Sequence, residues 1–366
     1  MVIRVRGGRL DEVRGVFAYL EHPGILALDG MEQMRRWLRR EYPYPPIWYV
    51  AGSEQVESGP GMSTWRLPVT SWLQSAAGTL TGGVLAFAAD APLGSALFTT
   101  LPPGAWVTTS ELSLHFLRPP APDCGAIITR ARLIQAGRSQ GLCEASIEDA
   151  HGHLLAHATA RNMVTGLPAP PDAQPPSKPI PWPEYDTPHQ FERPAEGEIV
   201  PQAVWDRMSG VEMMAAWQRG ELPRAPLSNW VGAQHFEFHE GEFAVTFPAS
   251  PSWTTAGGAF YGGTTALFLD YAMHGAIHTT LPGGTSWGTL DLKVNFLRPV
   301  TADGSDLRAT AKILHRGKRI AVASAELTGA DGKTVALASS SAMLLPGRPW
   351  RPAAPAVPID EAAPDG

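Results

Sequence analysis

Two stretches of the chain are apolar on nearly every face. Val84-Leu85-Ala86-Phe87-Ala88-Ala89 follows Gly82-Gly83, and Thr264-Thr265-Ala266-Leu267-Phe268-Leu269 follows Gly262-Gly263. A helix without a polar face is one buried on most sides. Downstream the period changes: Thr289 to Phe296 alternates apolar and polar over eight residues, the signature of a half-buried strand. Asp306 to Leu314, Arg319 to Leu327 and Thr334 to Leu344 predict further strands, separated by turns at Gly317 and at Gly329 to Gly332. Ahead of the buried segments, helices are predicted over Asp29 to Arg40 and over Ala203 to Arg219, the latter stopped by Gly220 and Pro223. Each half therefore reads helix, one or two strands, buried helix, several strands, which is an α+β domain with one long helix against an antiparallel sheet.

The halves are copies. From Gly30 to Met163 the chain aligns without a gap on Gly210 to Met343, and 39 of the 134 aligned positions are identical, more than shared composition would yield. The offset of 180 residues exceeds any solenoid unit, so this is a duplicated domain. Retained positions include Gly30, Glu32, Met34, Trp37 and Arg39, the glycine pair, the aspartate seven residues after it (Asp90, Asp270), and Phe116-Leu117-Arg118-Pro119 against Phe296-Leu297-Arg298-Pro299. Between Leu167 and Pro194, repeated prolines favour extended structure and predict a connector. The resulting division is an N-terminal domain with a helical extension over residues 1–167, a proline-rich linker over 168–200, a C-terminal domain over 201–346 and a loosely packed tail over 347–366.

Composition narrows the function classes. With 44% hydrophobic and 17% charged residues the chain is of globular type, and a net charge of -6 offers nucleic acid no basic field. Cys124 and Cys143 form no framework of paired spacings, which fits a reducing, cytoplasmic location, and no window has the run of apolar residues that a membrane span requires. There is no phosphate-binding GxxxxGK[ST], no HExxH and no CxxC. His151, His153 and His157 have ligand-like spacing, but their counterparts are Asp331, Lys333 and Leu337, so the repeat does not preserve a metal set. No metal and no cofactor are expected.

The glycine pair, the buried helix, the aspartate and the Phe-Leu-Arg-Pro strand end together resemble tandem hotdog domains of the acyl-CoA thioesterase kind, near the phenylacetate-pathway (PaaI-like) branch. The resemblance covers most of Gly30 to Pro346. It implies a double hotdog, each long central helix wrapped by a curved antiparallel sheet, with the two copies paired within the chain into a sheet of about twelve strands. It also implies an acyl-CoA substrate and composite sites, Asp90 with Gly262 and Asp270 with Gly82. Further copies of the chain are an additional candidate partner.

The residues support such chemistry independently. Thioester hydrolysis needs a carboxylate that attacks the carbonyl or activates water, and donors aimed where negative charge develops on oxygen. Glycines opening a buried helix supply N–H groups without intrahelical partners and without an obstructing Cβ. Asp90 and Asp270 supply the carboxylate, about two turns along each helix from the glycines, so that the neighbouring copy is better placed to complete each site. A buried carboxylate also needs a partner, and His274 is one turn from Asp270. By the resemblance, Thr109 and Thr289 correspond to residues that position the water, while Ser75 and Thr255 stand where Asn or Gln is common. Arg118, Arg298, Arg138 and Lys318 are candidates for the phosphates of coenzyme A. Two departures stand out: Thr81 and Tyr261 precede the glycine pairs where His or Asn is usual, and Pro92 removes a helix N–H close to Asp90. On helix continuity the Asp270 site is the favoured one. Besides hydrolysis, a non-catalytic acyl-CoA or acyl-ligand binding module is a second reading, and a hydratase on the same fold a third.

Overall fold

The computed structural model describes residues 22–167, 169–181 and 194–350, and the backbone of two short strands nearer the N-terminus, β1 (Val2–Ile3) and β2 (Val13–Arg14), which pair antiparallel. The helical extension expected there otherwise falls outside the described residues, as does the tail beyond Trp350.

The first repeat runs from α1 (Gly30–Leu38) and the short α2 (Pro46–Ala51) through β3 (Glu54–Gly59) and β4 (Met62–Pro68) to the long helix α3 (Gly82–Phe98). Four strands follow: β5 (Ala105–Phe116), β6 (Ala126–Ala136), β7 (Gln140–Asp149) and β8 (Leu154–Gly166). The second repeat has α4 (Gln202–Arg207), α5 (Gly210–Gln218), α6 (Pro226–Val231), β9 (Gln234–His239), β10 (Glu242–Pro248) and α7 (Gly262–Thr279). It ends in β11 (Thr285–Phe296), β12 (Asp306–Arg316), β13 (Ile320–Thr328) and β14 (Thr334–Pro346).

The helix expected over Ala203 to Arg219 is thus two helices. Met208 is extended, and Ser209 caps α5 in a reciprocal box with Glu212, which satisfies N–H groups that a continuous helix would not have left free. The short helices α2 and α6, each opening on a proline and closed by a left-handed glycine, had no apolar period long enough to be recognised.

Ten of the antiparallel strand pairings and one junction make a single sheet of twelve strands, in the order β3-β4-β6-β7-β8-β5-β11-β14-β13-β12-β10-β9. The junction is β5 on β11, with Leu112 opposite Val294 and Leu114 opposite Leu292, so each repeat covers an edge of the other. α3 and α7 lie inside the curve of their own half-sheets and pack on one another. Their near-complete burial follows from their composition, and Phe268 stacks on Phe247 at 4.0 Å between ring centroids. α3 continues through Pro92 to Phe98.

The repeated Gly30 and Gly210 are sites of close backbone approach. A Cβ on Gly30 would meet the Phe98 carbonyl at 1.8 Å, and one on Gly210 the His278 carbonyl at 1.7 Å. The connector runs against the first repeat, where Arg36 donates to the Pro176 carbonyl and Ile180 N–H to that of Glu41. The start of the tail is packed more firmly than expected: Trp350 lies 4.2 Å from Trp287 and 5.2 Å from Trp205, centroid to centroid.

Candidate active site

Asp90 and Asp270 sit mid-way along α3 and α7, and each reaches the other helix. Asp90 Oδ2 accepts from Gly263 N–H at 2.8 Å, and Asp270 Oδ2 accepts from Gly83 N–H at 2.7 Å. Each carboxylate therefore reaches the glycine pair of the other repeat, and it is the second glycine of each pair, not the expected first, that bonds it. The first lies directly beneath it in one site, where a Cβ on Gly262 would be 2.8 Å from Asp90 Oδ2. Gly262 and Gly82 begin their helices, so their N–H groups have no intrahelical acceptor. At Gly82 the ring of Phe116 takes the space, 2.7 Å from where a Cβ would be.

The remaining oxygens are treated differently. Asp90 Oδ1 accepts from the Thr109 hydroxyl at 2.6 Å, and Thr109 is also 3.3 Å from Asn162 Oδ1, directly across on β8. Thr109 stands at a shift of register between β5 and β8, a device that re-aims a side chain off the strand. Burial nevertheless raises the Asp90 pKa, and the bonds from Thr109 and Gly263 only partly counter it. Asp270 Oδ1 has no hydrogen-bond partner. His274 Nε2 is 3.6 Å from it, beyond hydrogen-bond length, and pairs at 2.8 Å with Thr289 Oγ1 instead. Thr289 thus addresses a histidine where Thr109 addresses the acid, and Ala342 replaces Asn162 as its cross-strand neighbour.

A cavity of about 490 Å³ opens at Asp90. Thr109, Gly262 and Tyr261 line it beside the acid, Trp37, Phe98 and Trp106 supply apolar walls, and the exposed Arg298 borders it from the second repeat. Asp270 is not among its lining residues. The equivalent positions there are filled. Gly94, which lines the cavity, has His274 as its counterpart; Val107 has Trp287; and Phe98 has His278. His278 and Trp287 stack on each other, Trp205 and Trp217 lie against His278, and Trp350 covers Trp287. Helix continuity had favoured the Asp270 site, whereas the cavity of about 490 Å³ lies at Asp90. A larger groove of about 700 Å³ runs along β9, β10 and β12 to β14, lined by Glu237, Arg308, Lys312 and Glu326, but it contains neither aspartate nor glycine pair.

Of the other expected residues, Thr255 lines the cavity with its buried hydroxyl unpartnered, whereas Ser75 is engaged with Thr79 at 3.0 Å. Arg118, Arg138 and Lys318 are exposed and do not line the cavity. Among the described residues no group of three or more side chains is placed to hold a metal ion, and no helix is long and apolar enough to cross a membrane.

Sequence reasoning passed over Asn162 and undervalued Tyr261. The signal for Asn162 was its replacement by Ala342 in the other copy. Tyr261 does not leave its position without a polar group. Its hydroxyl donates to the Phe87 carbonyl at 2.7 Å and accepts from Ala91 N–H at 2.8 Å, both on α3, and burial drives its pKa well above that of a free phenol. In the other copy the Thr81 hydroxyl is buried without a partner.

Comparison with known proteins agrees with this architecture. Residues 22–164 match the acyl-CoA thioesterase C-terminal domain, and residues 257–336 match the thioesterase superfamily, so each repeat is recognised separately. No curated protein matches the chain in sequence. Among solved structures, the tesB protein of Mycobacterium avium subsp. paratuberculosis aligns over 87% of this chain and 100% of its own, at 13% identity and a TM-score of 0.51. Acyl-CoA thioesterase II TesB2 of Mycobacterium marinum aligns over 81% and 96%, at 16% identity and a TM-score of 0.47. A phenylacetic acid degradation-related putative thioesterase of Ralstonia eutropha aligns over 35% and 97%, at 28% identity and a TM-score of 0.33. A thioesterase-type match on each repeat, on a continuous twelve-stranded sheet with both long helices in its curve, makes this chain a double hotdog whose two units are each similar to thioesterase families.

Proposed function

We propose that the chain hydrolyses an acyl-CoA thioester at the Asp90 site. The observation that carries this reading is the meeting of a buried carboxylate, the unbonded N–H at the start of α7 and a cavity at one point contributed by both repeats. Gly263 N–H and Thr109 hold the carboxylate in place. Asp90 either takes a proton from a water whose oxygen attacks the carbonyl carbon, or attacks that carbon itself to give an anhydride that water then cleaves. On either route the C–S bond breaks and coenzyme A leaves as the thiol, and the Gly262 N–H, at the positive end of α7, receives the negative charge that develops on the carbonyl oxygen. Burial that favours the neutral acid makes Asp90 a stronger base than a solvated carboxylate when ionised. The acyl group enters the apolar part of the cavity, between Trp37, Phe98 and Trp106. The coenzyme A phosphates remain near solvent at Arg298, since burying them unpaired would be costly.

A panel of short, long and aromatic acyl-CoAs, read by release of free thiol, tests the reading. Turnover in the intact chain that is lost in Asp90→Asn supports it. Saturable heat of binding with no thiol released would establish the second reading, a non-catalytic acyl-CoA binder. That reading is favoured by one fact: both Asp90 oxygens already have protein partners.

A further inference from the structure

We propose that Tyr261 is a positioning residue for Asp90, acting by inserting its hydroxyl into the backbone of the helix that carries the acid. In an uninterrupted helix the Ala91 N–H and the Phe87 carbonyl, four residues apart, bond each other. Here the Tyr261 hydroxyl is hydrogen-bonded to both, accepting at 2.8 Å and donating at 2.7 Å. A side-chain oxygen placed between such a pair opens the turn and bends the helix locally. Pro92, next in sequence, has no N–H to return to Ala88, so the α3 backbone is weakened at two successive positions. Asp90 lies immediately before both. The inserted hydroxyl thus sets how far the turn bearing Asp90 stands toward Thr109 and toward Gly263.

The same side chain shapes the other half of the site. The Tyr261 ring covers Gly263, where a Cβ would meet Cε1 at 2.5 Å, and it packs edge-on against Phe87 at 5.2 Å. One residue therefore couples the α3 turn that carries the carboxylate to the α7 terminus that binds it. The first repeat has Thr81 at this position, and its buried hydroxyl has no hydrogen bond to α7. The groups facing Asp90 are Thr109 on β5, Gly263 N–H on α7, the Tyr261 phenol and, through Thr109, Asn162 on β8; the one charged side chain that lines the cavity with it is Arg298.

This inference rests on Asp90 being the acting carboxylate, and the experiment separates the two. In the full-length chain, Tyr261→Phe removes the hydroxyl and keeps the ring. Its kcat on a turned-over acyl-CoA should fall at least about 10-fold, the scale of misplacing a catalytic group rather than losing it, with KM within about 3-fold. The acid limb of the kcat–pH profile should move, and so should the titration of the Asp90 carboxyl, followed by infrared difference against Asp90→Asn. Unchanged kcat together with an unchanged carboxyl titration overturns the proposal, as does a fall in kcat that merely tracks loss of folded protein. If the wild type hydrolyses no acyl-CoA, the functional reading fails while the carboxyl titration still decides the role of Tyr261. Should Tyr261→Phe not fold, site-specific difluorotyrosine at 261 retains the shape and weakens the hydroxyl as an acceptor. A shifted profile at unchanged Tm then supports the proposal, and an unshifted one overturns it.

Discussion

Asp90 and Asp270 are equivalent in sequence, 180 residues apart, and equally tied to a glycine of the opposite helix, yet only Asp90 borders the cavity. What separates them is the set of side chains around each acid. Around Asp90 the positions nearest the cavity are Gly94 and Val107; around Asp270 they are His274 and Trp287, with Trp205, Trp217 and Trp350 packed behind. Asp90 has hydrogen bonds to both oxygens, whereas Asp270 retains one unpartnered. Duplication preserved the backbone relation that joins the repeats: each acid bonds a glycine N–H of the opposite helix.

The difference breaks most sharply on the acids themselves. Asp90→Asn should lower kcat by about 10²-fold or more, the usual scale for loss of a general base, while Asp270→Asn stays within about 3-fold; equal losses in steady-state thiol release would erase the distinction. Transplanting the closed site into the open one comes next. A Cβ on Gly94 meets nothing closer than 3.8 Å, so its surroundings accept a side chain, and Gly94→His should fill the cavity and lower kcat/KM by about 10-fold or more, as one misfit of about 1.4 kcal/mol or greater would. Activity retained in full would show that the substrate lies elsewhere.

Thr109→Val removes the donor to Asp90 Oδ1 and should cost kcat roughly 5- to 10-fold, at about 1 to 1.5 kcal/mol for one hydrogen bond, with Thr289→Val nearly silent. The smallest effect concerns stability. His278 is held neutral by burial, its pKa lowered to about 3, against about 6.5 in the unfolded chain. The unfolded state therefore binds more protons across that window, and stability falls as pH drops from about 6.5 toward 3. His278→Phe, the residue of the first copy, should remove this component, so the Tm difference between pH 7 and pH 5 narrows. A variant with the wild-type difference would show that His278 does not titrate on unfolding in that range. For Asp90 the sign is the reverse. A raised folded pKa adds stability below the ordinary aspartate range that is lost as pH rises through the raised value, and the acid limb of kcat/KM should lie above that of a solvated aspartate.

By itself the sequence determined the duplicated α+β architecture, the two buried helices and the glycine pairs and aspartates that meet, but not which glycine of each pair bonds the acid. Those follow from local causes: an apolar run with no polar face must be buried, a period-two run must lie on a sheet, and an ungapped repeat must fold twice alike. The break at Met208 between α4 and α5 was legible only in part, because the Ser209 and Glu212 cap competes with an apolar period that continues across it. Tertiary structure alone decided that Asp90 borders the cavity of about 490 Å³. Asp90 and Asp270 have the same spacing from their glycines, and their difference arises from residues far along the chain, Thr255 and Phe260 on one side and Trp205, Trp287 and Trp350 on the other. It also decided the role of Tyr261, whose hydroxyl finds its partners 170 and 174 residues away on α3. Free volume and cross-repeat hydrogen bonds depend on which side chains converge in space, and spacing along one repeat does not encode what the other repeat places opposite it.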